Sequence, residues 1–180
     1  MYGIVNQAIN GLVVENYGEE SWEKIKVESG IEQKNFLSNE SYDDSITYSL
    51  AGAAAKVLGV TVGDVLIALG EYWILKTGKE KYGALMESGG HDLMEFLINL
   101  PNFHSRVMLM YPNLTPPEFK TEEVGERKVK VEYFSEREGL TDFMRGLLYG
   151  LMKMYDIEGQ VELTSPKQEN KEHDEFMVTW

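Results

Sequence analysis

Cysteine is absent from all 180 residues of the chain. Disulfides, zinc–thiolate sites, iron–sulfur clusters and thiolate-ligated iron are excluded with it. The opening stretch, MYGIVNQAINGLVVENYGEE, has no basic n-region and carries Asn and Glu inside its apolar pattern, so it reads as neither a secretory leader nor a membrane span. Positive charge is scarce: 17 Lys and Arg against 30 Asp and Glu give a formal net charge of −13, with no local basic patch. That balance disfavours nucleic acid and anionic membrane surfaces as partners. No Walker loop, GxGxxG, GxSxG or HExxH occurs, and no nucleophile–base pair stands out, so an enzyme is not expected. There are no internal repeats and no low-complexity segments. What remains is an ordinary globular composition, long enough for one domain or two closely packed subdomains, with the cytoplasm as the default location.

The periodicities change partway along the chain. Val5, Ala8, Ile9, Leu12 and Val13 recur at helical spacing, predicting an amphipathic helix that ends near Gly18. EESWEKIKVES reads as a second helix stopped by Gly30. A polar stretch, 33–39, leads to SYDD, whose Ser and Asp side chains can cap an Ala-rich helix over 45–58. Thr61 or Asp64 starts VLIALGEYWILKTG, apolar over much of its circumference and so predicted to be buried on more than one side. Gly89-Gly90 breaks the chain, Asp92 caps LMEFLINL, and Pro101 is expected to interrupt or restart the helix carrying NFHSRVMLMY. After Tyr111 the prolines at 112, 116 and 117 end the helical region. Strands follow over 119–124 and 128–137 with Gly125 in the turn, then a helix over 139–155, then a closing antiparallel pair at 159–164 and 175–180 around a charged loop. The expectation is α+β, helices first and a small antiparallel sheet later.

Two segments carry chemistry. On the strand 128–137 the odd positions are Val129, Val131, Tyr133, Ser135 and Arg137; that face begins apolar and ends in three hydrogen-bond donors. An inward guanidinium needs a partner, and a carboxylate matches its planar fork. The alternative is a strand end emerging into water with Arg137 paired to a surface acid. His104 lies on or beside a stripe of Phe96, Leu100, Phe103, Val107, Met108 and Tyr111. A neutral imidazole there is either a ligand for a metal or cofactor iron, or a core histidine bonded to a backbone carbonyl. His91, in a turn, and His173, in the charged loop KQENKEHDE, have no His, Cys or carboxylate at a convincing metal-ligand spacing.

The series MYGxVN, YDDSxTYxLxGAAxxVLG, a His in PNFHSRV, a TPP turn, and YxSxR followed by EGL resembles the H-NOX family, the haem nitric oxide/oxygen-binding module also found in soluble guanylate cyclase. The resemblance covers Met1 to Trp180. It implies a single domain over 1–180, with a helical N-terminal subdomain over 1–60, a haem-anchoring α+β subdomain over 61–180, and haem b between them. It implies His104 as the iron ligand, Tyr133, Ser135 and Arg137 as the propionate-binding triplet, and Pro117 as the residue that distorts the porphyrin. Asp43 or Asp44 then couples the N-terminal subdomain to Arg137. Oxygen-binding relatives carry a tyrosine on the helix after YxSxR; alignment through EGL puts Phe143 there, and a phenyl ring cannot donate a hydrogen bond. With Ile4, Trp73 and Leu147 it makes a largely apolar gas pocket, in which Trp73 owns the only donor.

The resemblance thus implies a sensor of nitric oxide at ferrous haem, with CO a weaker ligand. Signalling would proceed through weakening or release of His104 and relaxation of the haem from the distortion. With no kinase, cyclase or methyl-acceptor segment in these 180 residues, the expected output partner is a separate histidine kinase or diguanylate cyclase. Two rivals stay open: an oxygen-binding haem protein using Trp73, and a non-haem interaction module of the same fold.

Overall fold

The computed structural model describes residues 1–33, 35–110, 116–168 and 171–180, and for Met110 the backbone alone. Tyr111, Pro112 and Thr115, singled out above, lie outside the described residues. Helices come first: α1 (Gly3–Tyr17), α2 (Glu19–Ser29), α3 (Asp44–Leu58), α4 (Val62–Tyr72), α5 (Lys79–Glu87) and α6 (Leu93–Met110). Then follow β1 (Glu118–Gly125), β2 (Lys128–Phe134), α7 (Thr141–Met154), β3 (Gln160–Ser165) and β4 (His173–Thr179). The architecture is the expected α+β. The strands pair antiparallel throughout, in the order β1-β2-β4-β3.

Local signals set most boundaries. Gly30 stops α2 in the left-handed conformation (φ 66°), which a residue without a Cβ adopts without strain. The Asp43 carboxylate accepts from the Ser45 N–H and caps α3. Thr61 and Asp64 cap α4 reciprocally, each side chain bonding the other's backbone N–H.

Three expectations are corrected. The segment VLIALGEYWILKTG is not one helix: α4 ends at Tyr72, and Trp73–Gly78 winds as a π-helix into α5, which the pattern had left unassigned. Pro101 does not break α6, which runs through it. An interior proline costs roughly 3 kcal/mol, but the residues beyond it are held in place, with Phe103 packed on Phe96 and the His104 ring on Phe119, so tertiary packing carries the helix through. Finally, β2 ends at Phe134, so Ser135 and Arg137 lie beyond the strand. In the β1–β2 register Glu118 faces Phe134, and the next position along β1 is Pro117, which has no N–H to give a ladder.

Two hydrophobic cores result. The first lies among α1, α2, α3 and α4, around Ile9, Val13, Ile25, Leu50 and Leu69. Within it the Thr47 hydroxyl donates to the Asn6 carbonyl oxygen at 2.7 Å, both side chains buried. The second joins α6 and α7 to the inner face of the sheet, around Phe96, Leu97, Val129, Val131, Leu148 and Phe176. The seam between them is tight where α4 meets α7. A Cβ on Gly70 would lie 2.4 Å from the Phe143 carbonyl oxygen, and one on Gly146 would lie 2.2 Å from that of Ile67. Trp73 packs against both cores, Phe143 against the first and Leu147 against the second. Among the described residues no single helix is long and apolar enough to cross a membrane.

Candidate functional site

The half-buried His104 is carried by α6. Its Nδ1 lies 3.0 Å from the Leu100 carbonyl oxygen one turn earlier. A carbonyl only accepts, so Nδ1 carries the proton and Nε2 keeps its lone pair. Burial pushes the imidazole pKa below its usual value, with the Leu100 hydrogen bond opposing, so the ring is neutral at pH 7. The ring stacks on Phe119 of β1 with centroids 4.5 Å apart, and Phe119 in turn lies 5.6 Å from Tyr133 of β2. The carbonyl bond that marks a core histidine is therefore the same bond that prepares Nε2 as a ligand atom.

Beyond this aromatic row lies an open cavity of 1070 Å³, whose lining includes Met108, Pro116, Tyr133, Ser135, Arg137 and Lys167. Tyr133 is buried on the inner face of the sheet, and burial raises its hydroxyl pKa while a hydrogen bond with Ser135 lowers it. The Ser135 Oγ accepts from the Arg137 N–H at 3.1 Å, and the Lys167 ammonium donates to the Ser135 carbonyl at 2.9 Å. Glu118, Glu136, Glu138 and Glu172 also line the cavity, so its cationic character is local to Arg137, Lys167 and Lys171.

Arg137 reaches across the fold. Its Nε donates to Asp44 Oδ2 at 2.8 Å, and Asp44 Oδ1 accepts from the N-terminal ammonium of Met1. Burial pushes the Asp44 carboxyl up, but the ammonium and Arg137 outweigh it and hold the pKa below the usual value. Of the two acids in question Asp44 makes the pair, while Asp43 is occupied as the cap of α3.

The cavity gathers Tyr133, Ser135 and Arg137. Among the described residues its lining does not include His104, Pro117, Ile4, Trp73, Phe143 or Leu147, and Pro116 rather than Pro117 faces it. Ile4 is buried near the start of α1; Trp73, Phe143 and Leu147 are half-buried at the seam between the cores. Met108, expected on the apolar stripe, is 48% exposed.

Sequence reasoning missed Lys167 and Asp174. Asp174 is buried; its Oδ2 accepts from the Thr141 hydroxyl and its Oδ1 from the Lys167 N–H, each at 2.7 Å. It thereby ties the start of α7 to the chain entering β4, on either side of the Ser135–Arg137 bend. The alternation of Asp174, Phe176 and Val178 was the available signal, because it puts a carboxylate on the inner face.

The donor set suits a haem. A tyrosine, a serine and an arginine converge as carboxylate donors, and a neutral imidazole on a neighbouring helix keeps one lone pair. The cavity, at 1070 Å³, is slightly larger than the roughly 300–1,000 Å³ typical of cofactor sites, and it gathers the carboxylate donors but not His104.

Comparison with known proteins agrees. The family model described as Haem-NO-binding matches residues 2–163. Soluble guanylate cyclase gcy-32 of Caenorhabditis elegans is 30% identical over 162 residues, covering 88% of this chain and 24% of that protein. For gcy-31 of the same organism the identity is 25% over 175 residues, covering 96% of this chain and 25% of that protein. This chain thus spans about a quarter of the length of these curated relatives. Among solved structures, the fold is shared with an unliganded Fe(II) H-NOX protein from K. algicida (TM-score 0.84, 23% identity, 99% of this chain and 96% of that chain). It is also shared with an H-NOX protein from S. oneidensis in its Fe(II)NO state (TM-score 0.86, 18% identity, 99% and 98%). With a family model matched over nearly its whole length, the chain belongs to the Haem-NO-binding, or H-NOX, family, whose domains bind haem and sense gases rather than catalyse reactions.

Proposed function

We propose that this chain is a nitric oxide sensor that holds ferrous haem b through His104, with CO as a weaker ligand. The observation that carries the reading is the His104 imidazole: neutral, oriented by the Leu100 carbonyl, with the Nε2 lone pair unspent. Tyr133, Ser135 and Arg137 would hold the propionates, and Pro117 would press on the porphyrin face. Ile4, Trp73, Phe143 and Leu147 would line the gas side, where no hydroxyl is offered. Bound haem supplies the iron at which the gas binds.

The residues of the chain supply the transmission. His104 would tie α6 to the cofactor, and loosening of that tie would free the helix to move. The Arg137–Asp44–Met1 chain of charges links the cavity to the start of α1 and α3, and so to the first core. An N-terminal subdomain over 1–60 moving against 61–180 is then the two-state element that the ligand biases. We assign the output to a separate histidine kinase or diguanylate cyclase in the cytoplasm.

The test is an anaerobic absorption spectrum of the reduced protein before and after nitric oxide. The expected result is the Soret band of histidine-ligated ferrous haem, shifting on nitric oxide in the manner diagnostic of lost histidine ligation. A stable oxygen spectrum in air would favour Trp73 as a donor and an oxygen-binding protein. No Soret band after expression with ample haem would sink the reading and leave a non-haem module of this fold.

A further inference from the structure

The outer face of the sheet holds a cluster that the haem reading does not use. In the β2–β4 register Glu132 faces Glu175 and Phe134 faces His173, so both residues of β4 project on the same side as Glu132. One ligand atom from each of Glu132, His173 and Glu175 lies within 4.8 Å of the other two, and all three residues are half-buried. We propose that these residues form a binding site for one divalent transition-metal ion of the zinc class.

The donor set selects the ion. One imidazole and two carboxylates suit zinc and its neighbours in the divalent series, whereas calcium and magnesium favour all-oxygen shells. Three protein ligands leave a fourth position for water. Tetrahedral ligands at 2.0–2.1 Å from zinc stand about 3.3 Å apart, so modest rotation of the two Glu side chains closes the observed spacing.

Their surroundings favour capture. β2 and β4 are the two inner strands of the sheet, so all three backbones are held from both sides. The His173 ring stacks on Phe134, centroids 4.4 Å apart, which limits its rotation. The Thr164 hydroxyl donates to Glu175 Oε1 at 2.7 Å, the kind of outer contact that orients a ligating carboxylate. Two lysines form ion pairs with the acids, Lys130 at 3.6 Å from Glu132 and Lys171 at 3.7 Å from Glu175, and a bound ion would displace these long contacts. Lys130 also pairs with Glu122, at 2.7 Å. Lys120 lies over the Phe134 ring. A bound ion would cross-link β2 to β4 beside Tyr133, at the strand end from which Ser135 and Arg137 extend.

The experiment is calorimetric titration of Zn²⁺ into the haem-loaded protein after treatment with a chelator, with the Soret band recorded throughout. One equivalent should bind with the Soret band unchanged. His173→Ala and Glu175→Gln should each weaken that site tenfold or more, whereas His91→Ala should leave it as it is. Zinc should also raise the Tm of the wild type and not that of E175Q, since an ion that binds only the folded form stabilises it. Glu132→Gln and Glu175→Gln are near-isosteric and half-exposed, so they carry the test if the histidine variant fails to fold. The proposal is overturned if zinc shows no saturable site at one equivalent, or if these variants lose less than tenfold. Weakening by H91A in their place would overturn it equally.

Discussion

Replacing Asp44 with Asn keeps the side chain's shape and removes its charge from between Arg137 and the Met1 ammonium. A hydrogen bond to a charged group contributes roughly 1.5–3 kcal/mol when well shielded, and exposed ion pairs typically 0.2–1 kcal/mol. The side chains of Asp44 and Arg137 are 35% and 30% exposed, so the pair sits between these limits. Losing charge on both contacts should cost about 1–2 kcal/mol. For a chain of this size that lowers Tm by about 2–8 °C. The control is Asp43→Asn: Asn caps a helix as well as Asp, so D43N should change stability by less than about 0.5 kcal/mol. Thermal unfolding followed by far-UV circular dichroism at pH 7 reads both. The pH dependence adds a second check. The folded-state pKa of Asp44 is depressed, so its stabilisation is present above the unfolded value, about 3.9, and is lost as pH falls through the folded value. The gap between wild type and D44N should therefore be full at pH 7 and shrink below about pH 4. If D44N is no more damaging than D43N, or the gap persists unchanged at pH 3, the Arg137–Asp44–Met1 link does not stabilise the fold as argued.

Replacing His104 with Gly should abolish haem retention on purification, with recovery when imidazole is supplied; an unchanged ferrous spectrum without imidazole would refute the ligand assignment. If Phe143 lines the gas side as proposed, Phe143→Tyr would add a hydroxyl there and should give an oxygen complex that persists in air where the wild type gives none. Gly146→Ala would drive a Cβ to 2.2 Å from the Ile67 carbonyl oxygen, which is backbone and cannot step aside. It should destabilise by roughly 1–3 kcal/mol, visible as a Tm several degrees lower, and a Tm equal to wild type would show that α4 and α7 meet less closely than described.

The order of elements was legible because it is written in short-range periodicity. The 3.6-residue repeats of α1 and α3 and the two-residue alternation of Val129, Val131 and Tyr133 need only their own neighbours to be recognised. Gly30, Asp43 and the Thr61–Asp64 pair act within four residues, so they too could be read directly. Quoted motifs pointed to the family, and the family model bears that out.

What the tertiary structure decided were matters in which distant segments compete or cooperate. Pro101 stays inside α6 because the packing of Phe103 on Phe96 and of His104 on Phe119, beyond it, outweighs a local penalty. β2 stops at Phe134 because the residue that would face Ser135 across the ladder is Pro117, eighteen positions away in sequence. The choice between Asp43 and Asp44 lay in which carboxylate meets Arg137, a contact 93 residues long. Asp174 and Lys167 join the site through a strand pairing that no motif records. His173 is the sharpest case: along the chain it had no partner at a ligand spacing, and only the pairing of β4 with β2 set Glu132 beside it. Local sequence fixes backbone preference within a turn or two, whereas contacts between separate elements depend on packing and register, which the whole chain determines together.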